Sequence, residues 1–379
     1  MDFELDQDHR VLRDTLRDFV TKEIRPRAID IDEKHCIPDD LIAKYADMGL
    51  MGSYLPEAYG GAALDILSYA IVVEEVSKAC ASSGVLISAH TSLACDPILH
   101  FGTEEQKKRW LPDLATGKKI GAILLTEAEA GSDLANVQTS YQRDGDDFVI
   151  NGSKVFITNG GFLGTGVVLA SRDRSQKHRG LSAFIVDLSC PGVTALRNES
   201  KMGIRGSYTT AFALDDLRVP ADALLGGEGK GFRIAMETLD GGRIGIAAQA
   251  LGIAGGALER SIAYSKERKQ FGHPISALQA IQFKLADMAL RVEASRLLVW
   301  QAACRKDAGL PFSTESAMAK LHAAETAVYV TREALQIHGG NGYVTEYEVE
   351  RMYRDAKITE IYEGTSEVQH LVIARALLS

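Results

Sequence analysis

Apolar residues recur every three to four positions from Leu5 to Gly117, the spacing that places them on one face of a helix. Residues 84–101 are almost uncharged, which predicts a helix that is buried on most sides or lines a cavity. Thr103 and Gln106 then have the spacing of a capping box that opens another short helix. The first third of the chain is therefore predicted to be helical.

The pattern changes between Ile120 and Pro220, where short runs are rich in β-branched and aromatic residues. Turn-forming pairs such as Asp144-Gly145 and Asn151-Gly152 separate these runs, and no helical spacing intervenes. The predicted strands cover 120–125, 148–150, 155–158, 167–170, 183–186 and 211–214. Such a series predicts a compact antiparallel barrel or sandwich.

Helical spacing returns after Gly231 and continues to the end of the chain. The order is α, then β, then α, which predicts an α+β multi-domain fold. We place an N-terminal α-helical domain at 1–118, a middle antiparallel β-barrel or sandwich domain at 119–228, and a C-terminal helical domain at 229–379.

Composition excludes several classes of protein. The 379 residues include 42 basic and 51 acidic side chains, and the net charge of −9 argues against binding to nucleic acid. No apolar run reaches the roughly 20 residues that span a bilayer. The first residues lack the features of a signal or transit peptide, so we expect a cytoplasmic protein or a mature mitochondrial matrix form. The five cysteines are scattered without metal-ligand spacing, and no metal site is expected.

Familiar nucleotide-binding motifs are missing. The glycines at 227, 229 and 231 resemble a phosphate loop, but Lys230 is followed by Gly231 instead of Ser or Thr. No G-x-G-x-x-G sequence leads from a strand into a helix. A nucleotide-like ligand would therefore have to be bound in another way.

Three segments are rich in small and polar residues for their surroundings. Leu125–Asp133 leads from a strand into a loop where Gly131 would allow close backbone approach to a ligand, although an ordinary turn is equally compatible. Gln336–Tyr343 places three glycines in a helical region, where glycine is unfavourable. They indicate either close backbone approach to a ligand or a simple helix-to-helix turn. In Ile361–Glu367, Glu363 follows two large residues and precedes a glycine. An apolar setting would raise its pKa and suit a general base, but a solvated surface carboxylate is the alternative.

Together, in this order, the three segments resemble the acyl-CoA dehydrogenase family over the full chain. Residues 336–355 match the C-terminal motif of the family, and Ile361-Tyr362-Glu363-Gly364-Thr365 matches its signature. Residues 236–245 and 282–288 are most similar to the short-chain (butyryl-CoA) branch. The resemblance implies an FAD enzyme whose C-terminal domain is a four-helix bundle.

The same resemblance implies roles for individual residues. Glu363 is expected to be the catalytic base that removes the pro-R α-proton while the β-hydride goes to flavin N5, with the thioester oxygen held by the Glu363 N–H and a flavin ribityl hydroxyl. The expected substrate contacts are Ser132, Asp240, Arg243 and Gly364. FAD contacts are expected from Leu125, Thr126, Gly131, Ser132, Phe156, Thr158, Thr365 and Glu367. Residues expected to reach the FAD of a neighbouring subunit are Arg268, Phe271, Gln279, Gln336, Ile337, Gly339 and Gly340.

Departures from the family pattern bear on the reaction. Branches that place the base elsewhere use the position of Gly242, which carries no carboxylate here. The first motif has Glu127-Ala128-Glu129 in place of the usual Glu-Pro-Gly, and Phe156 stands where many relatives have Trp. Because no Lys or Arg lies between Lys78 and Lys107, a dicarboxylic substrate is disfavoured.

The resemblance implies α,β-dehydrogenation of a short-chain acyl-CoA to the trans-2-enoyl-CoA by a homotetramer, with electrons passed to electron-transfer flavoprotein. Alternatives are a branched or cyclic acyl-CoA, an acyl-CoA oxidase, and a non-catalytic scaffold that binds flavin or acyl-CoA. His90, Thr91 and Asp96 are the polar members of the helix expected to form the floor of the acyl pocket. We expect them to be satisfied structural residues, with a second base among them as the lesser alternative.

Overall fold

A computed structural model of the protein describes residues 4–378. The first domain is helical, as predicted, and α4 is buried along nearly its whole length. The helices are α1 (Gln7–Phe19), α2 (Ala28–Lys34), α3 (Asp39–Asp47), α4 (Ile66–Ala79), α5 (Ala81–Ser88), α6 (Asp96–Phe101) and α7 (Glu104–Ala115).

The uncharged segment 84–101 is helical but not one regular helix. A wide π-helical turn over Ala89–Cys95 joins α5 to α6, and all residues from 81 to 98 are buried. Such turns are frequently found at functional sites because they redirect side chains. The predicted capping box is confirmed: the Gln106 N–H donates to the Thr103 hydroxyl, and Gln106 Oε1 accepts from the Thr103 N–H at 2.9 Å.

The middle domain is one twisted sheet with strand order β6-β7-β3-β2-β4-β5-β8, and β1 pairs with β4. Pairing is antiparallel apart from β1 with β4 and a single parallel pair between β2 and β4. Its strands are β1 (Gly121–Leu124), β2 (Ser140–Asp144), β3 (Asp147–Thr158), β4 (Thr165–Ser171), β5 (Leu181–Asp187), β6 (Val193–Asn198), β7 (Thr209–Pro220) and β8 (Leu224–Leu225).

The prediction of a turn at Asn151-Gly152 was wrong. Both residues lie inside β3, which joins two predicted strands into one and contains a register irregularity at this point. The Asn151 side chain accepts from the Asp216 N–H at 2.8 Å and donates to the Asp216 carboxylate at 3.1 Å. Because these bonds replace ladder hydrogen bonds, the strand continues through the bulge.

The C-terminal domain contains the predicted four-helix bundle, in which α8, α9 and α10 pack against one another and α12 packs on α10. Its elements are α8 (Gly231–Glu267), β9 (Lys269–Gln270), β10 (His273–Pro274), α9 (Gln279–Asp307), α10 (Ser313–His338), α11 (Val349–Ala356) and α12 (Ser366–Leu378). None of the helices in the described part of the chain has the length and hydropathy needed to cross a bilayer.

Glycines allow α8 to lie very close to α4. A Cβ added at Gly252 would lie 2.3 Å from the Glu74 carbonyl oxygen, and one at Gly256 would lie 2.4 Å from that of Lys78. The backbones therefore meet where any larger residue would collide. This contact joins the N-terminal and C-terminal domains into one helical core.

Candidate active site

Glu363 lies in a tight turn between a 3-10 turn over Lys357–Glu360 and the start of α12. Its φ is 51°, and Gly364 follows at 94°, so two successive residues are left-handed. This conformation is uncommon and costly for a residue other than glycine, and it tends to persist at functional sites. The turn is thus a place where backbone strain accompanies a candidate catalytic carboxylate.

The Glu363 carboxylate faces Gly242 of α8. A Cβ added at Gly242 would lie 2.3 Å from Glu363 Oε2 and 2.6 Å from Leu93 Cδ2. Oε2 is inaccessible to solvent and has no hydrogen-bond partner among the described residues, although the residue as a whole keeps partial exposure. The carboxylate therefore fills the space that the missing side chain leaves open.

Burial raises the pKa of Glu363 to about 8, and the positive charges of Lys320 and Arg243 oppose that rise. A base with a pKa near the working pH combines a useful ionised fraction with a strong tendency to take up a proton. This setting suits the general base that the resemblance implies at this position.

Arg243 and Asp240 form a pair on the same helix. Arg243 is 6 % exposed and donates to Asp240 Oδ1 at 2.5 Å, while its Nε is buried and unpartnered among the described residues. Burial raises the pKa of Asp240, against the opposing effect of Arg243. An unpartnered guanidinium N–H next to the candidate base leaves a donor available for a polar ligand.

Two side chains that sequence reasoning did not single out fix the turn. The Gly364 carbonyl accepts from Lys320 Nζ at 2.7 Å and from Gln369 Nε2 at 2.9 Å. Lys320 is fully buried on α10, between the buried alanines at 319, 323 and 324. A lone lysine on an alanine-rich helix face was the available signal, since such a charge is rarely buried without a partner.

The residues expected to contact FAD at the end of β1 lie beside those expected to contact it at the end of β3. Leu125 and Thr126 follow β1, and the Val155 N–H of β3 donates to the Thr126 carbonyl at 3.0 Å. Phe156 comes next, with a φ of 60° and a side chain that is 63 % exposed. Thr158 ends the strand and is partly exposed. The sheet thus brings the two expected FAD motifs to one surface.

A buried ion pair supports this surface from below. Lys154 Nζ donates to Glu127 Oε1 at 2.7 Å and to the Leu125 carbonyl at 3.1 Å. Glu127 also accepts from the backbone N–H groups of Gln138 and Thr139. The Glu127-Ala128-Glu129 departure therefore leaves the loop held at Glu127.

The exposed features of this surface fit a flavin nucleotide. Phe156 offers an aromatic ring to solvent, while Gly131 and Ser132 are exposed. A Cβ added at Gly131 would meet no described atom within 4 Å, so the backbone there is open to a ligand. An open glycine loop beside an exposed ring suits phosphate oxygens and an isoalloxazine.

The segments expected to reach a neighbouring subunit form a separate surface. The Arg268 N–H donates to the Tyr264 carbonyl at 2.8 Å, and the Tyr264 ring stacks on His338 at 4.2 Å, which joins the α8–α9 connection to the end of α10. Phe271 is 87 % exposed. Arg268, Gln279, Gln336, Gly339 and Gly340 are also exposed, and Ile337 is buried. Within residues 4–378, no hydrogen bond links this surface to β3.

Thr365 and Glu367 lie directly after the Glu363 turn. Thr365 Oγ1 accepts from the Val368 N–H at 3.4 Å, so it caps α12. The Glu367 side chain is exposed.

The three polar residues of the uncharged helix are all hydrogen bonded in the interior. His90 accepts from the Gly121 N–H at 2.8 Å, and Thr91 donates to the Ile87 carbonyl at 2.9 Å. Asp96 accepts from Lys306 at 3.1 Å and from the Tyr54 hydroxyl at 3.0 Å. Burial would raise the pKa of Asp96, but Lys306 and His100 lower it to about 2. So acidic a carboxyl is a poor base.

Family models match almost the whole chain. The acyl-CoA dehydrogenase N-terminal domain matches residues 6–118, the middle domain residues 122–217, and the C-terminal domain residues 229–378. A mitochondrial short-chain specific acyl-CoA dehydrogenase of Bos taurus is 51 % identical over 375 residues, which is 99 % of this chain and 91 % of the relative.

Two solved structures superpose over all of this chain and all of their own. One is butyryl-CoA dehydrogenase from Megasphaera elsdenii, with a TM-score of 0.98 and 47 % identity. The other is a chain of a structure described as electron transferring flavoprotein of Acidaminococcus fermentans, with a TM-score of 0.98 and 49 % identity.

Proposed function

The chain belongs to the acyl-CoA dehydrogenase family, and from that premise we propose that it oxidises a short-chain acyl-CoA to the trans-2-enoyl-CoA with Glu363 as the base. The observation that carries this proposal is the Glu363 carboxylate, which is buried, unpartnered at Oε2 and opposite Gly242. A group in this setting is suited to taking up a proton and has no evident structural role.

Glu363 acts first through its carboxylate. Since burial raises the pKa of Glu363 to about 8, the ionised form accepts a proton from the α-carbon readily near neutral pH. The left-handed turn leaves the Glu363 N–H without a backbone acceptor among residues 4–378. That N–H is free to donate to the thioester oxygen and to stabilise the negative charge that develops there.

FAD, when bound, supplies the acceptor for the hydride that leaves the β-carbon. Phe156, Thr126 and Gly131 would hold it at the exposed edge of the sheet, where the chain leaves a ring and an open glycine uncovered. Arg243 and Asp240 line the helix beside the base and are proposed, with Ser132 and Gly364, to hold the acyl-CoA.

The residues around Glu363 support a substrate with a short, uncharged acyl group. Leu93 lies against the space between Gly242 and Glu363. Lys306 enters this region from α9, a cation that the sequence did not predict there, but Asp96 neutralises it. A distal carboxylate would have to compete with Asp96 for that lysine, so a dicarboxylic substrate remains disfavoured.

We further propose a homotetramer that passes electrons to an electron-transfer flavoprotein, in the cytoplasm or the mitochondrial matrix. Large apolar side chains on the helical domain are exposed, as expected of faces that meet other subunits. They include Phe271 at 87 %, Phe283 at 65 %, Leu290 at 68 % and Tyr343 at 90 %. The flavoprotein is supported by the likeness to the Acidaminococcus fermentans chain.

Anaerobic visible spectroscopy tests the reaction and the substrate together. We expect butyryl-CoA to bleach the flavin band of the purified protein rapidly, and Glu363→Gln to bind FAD without bleaching. Bleaching by isovaleryl-CoA or cyclohexanecarboxyl-CoA alone would replace the substrate with a branched or cyclic one. Persistent bleaching in Glu363→Gln would refute the assignment of the base, and a protein that binds no FAD would refute the function.

A further inference from the structure

Lys320 is a buried lysine next to the candidate base. Its side chain has no solvent exposure, and Nζ donates to the Gly364 carbonyl at 2.7 Å. Burying an ammonium group is costly unless a specific interaction offsets the lost hydration. Alanines surround Lys320 on its helix, so an apolar residue would fill this space at lower cost. Its presence therefore calls for a function at the turn it contacts.

The first effect of Lys320 is on backbone conformation. The Gly364 carbonyl receives Lys320 Nζ from one helix and Gln369 Nε2 from another. Two donors on one carbonyl fix the orientation of that peptide group. The left-handed conformation of Glu363 is thereby held, and with it the direction of the Glu363 N–H and carboxylate.

The second effect is electrostatic. Of the two cations that act on the Glu363 carboxylate, Arg243 is paired with Asp240 at 2.5 Å. Lys320 has no carboxylate within ion-pair distance among residues 4–378, so its charge is less compensated. Burial lowers the pKa of Lys320 to about 8, so the ammonium form predominates at pH 7 and below. The other titratable groups that act on the pair are Tyr69, Tyr362, Glu360 and Glu367. The pKa of both phenols, Tyr69 and Tyr362, is raised by loss of hydration, so they stay neutral near pH 8.

We propose that Lys320 is a positioning residue for the dehydrogenation, which holds the Glu363–Gly364 turn toward the thioester and provides the positive charge that keeps Glu363 ionisable near neutral pH. This inference rests on the proposed role of Glu363 as the base. It assigns to Lys320 no contact with the substrate. Its two effects, on geometry and on charge, are separable by substitution.

Lys320→Gln keeps a donor for the Gly364 carbonyl but removes the charge, Lys320→Arg keeps both, and Lys320→Met removes both. The direct readout is the infrared band of the protonated Glu363 carboxyl, identified by its absence in Glu363→Gln and followed against pH. Because a nearby cation lowers the pKa of a carboxyl, its loss should move the midpoint upward by about one unit in Lys320→Gln, and Lys320→Arg should restore it. The same shift should appear in the pH profile of flavin reduction by butyryl-CoA.

Reduction at pH 7 should fall about tenfold in Lys320→Gln, because a one-unit shift reduces the ionised base tenfold there. The reduction rate should fall further in Lys320→Met, and raising the pH should not restore it fully. Arg332→Met, an exposed residue on the same helix, is the matched control and should behave as the unaltered protein.

An unchanged carboxyl midpoint in Lys320→Gln would overturn the electrostatic part of the inference. An equal shift in Lys320→Arg would overturn it as well, since that variant keeps the charge. A failure of the proposed function is recognised separately, because the unaltered protein would then show no flavin reduction by any acyl-CoA at any pH. If Lys320→Met does not fold, the comparison of Lys320→Gln with Lys320→Arg still tests the effect of the charge.

Discussion

Gly242 and the Glu363 carboxylate occupy one space: a Cβ at position 242 would lie 2.3 Å from Glu363 Oε2. The two residues lie on different elements, yet Gly242, the position that the family resemblance gives as the alternative site for a base, faces the proposed base Glu363. The glycine is required because only a hydrogen leaves room for the carboxylate. The two sites for the base are therefore mutually exclusive in this chain.

Gly242→Ala should displace the Glu363 side chain without removing it. We expect flavin reduction by butyryl-CoA to slow by about 100-fold, because a shift near 1 Å is enough to misalign a proton transfer. FAD content, read from the visible spectrum, should be retained. Gly255→Ala is the control on the same helix, since its added Cβ would lie 3.4 Å from the flexible Lys78 side chain. Equal rates in the two variants would contradict the shared-space interpretation.

The reduction rate should rise with pH. The base must be ionised to accept a proton, and burial raises the pKa of Glu363 to about 8, so about one tenth of the molecules are competent at pH 7. Stopped-flow measurement of flavin bleaching without oxygen, from pH 6 to pH 9, should show an ascending limb centred near pH 8. A flat profile over that range would show that Glu363 is already ionised at pH 6.

How much of this site can be predicted from sequence depends on how far apart in the chain the interacting residues lie. Glu363 and its neighbours follow from a continuous motif, and the α, β, α order follows from apolar spacing. Lys320 and Lys306 were missed because they act at a distance in sequence: Lys320 binds a carbonyl 44 residues away, and Lys306 pairs with Asp96 across 210 residues. Helical spacing places such residues on a face but does not say which element that face meets.

Glu363→Gln should stabilise the protein in a pH-dependent way. The pKa of Glu363 is about 8 in the folded chain and near 4.5 when unfolded, so the folded state binds the proton more tightly. The stability that this proton provides is present below pH 4.5 and is lost as the pH rises toward 8. A neutral glutamine does not incur that loss. Its melting-temperature advantage over the unaltered protein should grow from pH 5 to pH 8, and a constant difference would contradict the buried-carboxyl interpretation.

Lys154→Met should destabilise the sheet surface that carries the expected FAD contacts. The Lys154 and Glu127 side chains are 0 % and 4 % exposed, so removing the lysine leaves a buried carboxylate without its cation. Breaking such a pair costs about 3–5 kcal/mol, and we expect a lower denaturation midpoint together with loss of FAD on dialysis. Lys34→Met is the control because its ion pair with Asp30 is largely exposed. It should leave both measurements unchanged.

Asp96→Asn should reduce stability without changing the reaction. Lys306 and the Tyr54 hydroxyl both donate to Asp96, so the substitution leaves the lysine less well compensated, at a cost of about 3 kcal/mol in unfolding free energy. Because the pKa of Asp96 is lowered to about 2, its carboxylate has little affinity for a substrate proton. Butyryl-CoA should still give the trans-2-enoyl-CoA, as judged by chromatography of the product. If instead this variant lost only the oxidation of cyclohexanecarboxyl-CoA, Asp96 would be a second base for a cyclic substrate, because a purely structural ion pair has no means of distinguishing the two esters.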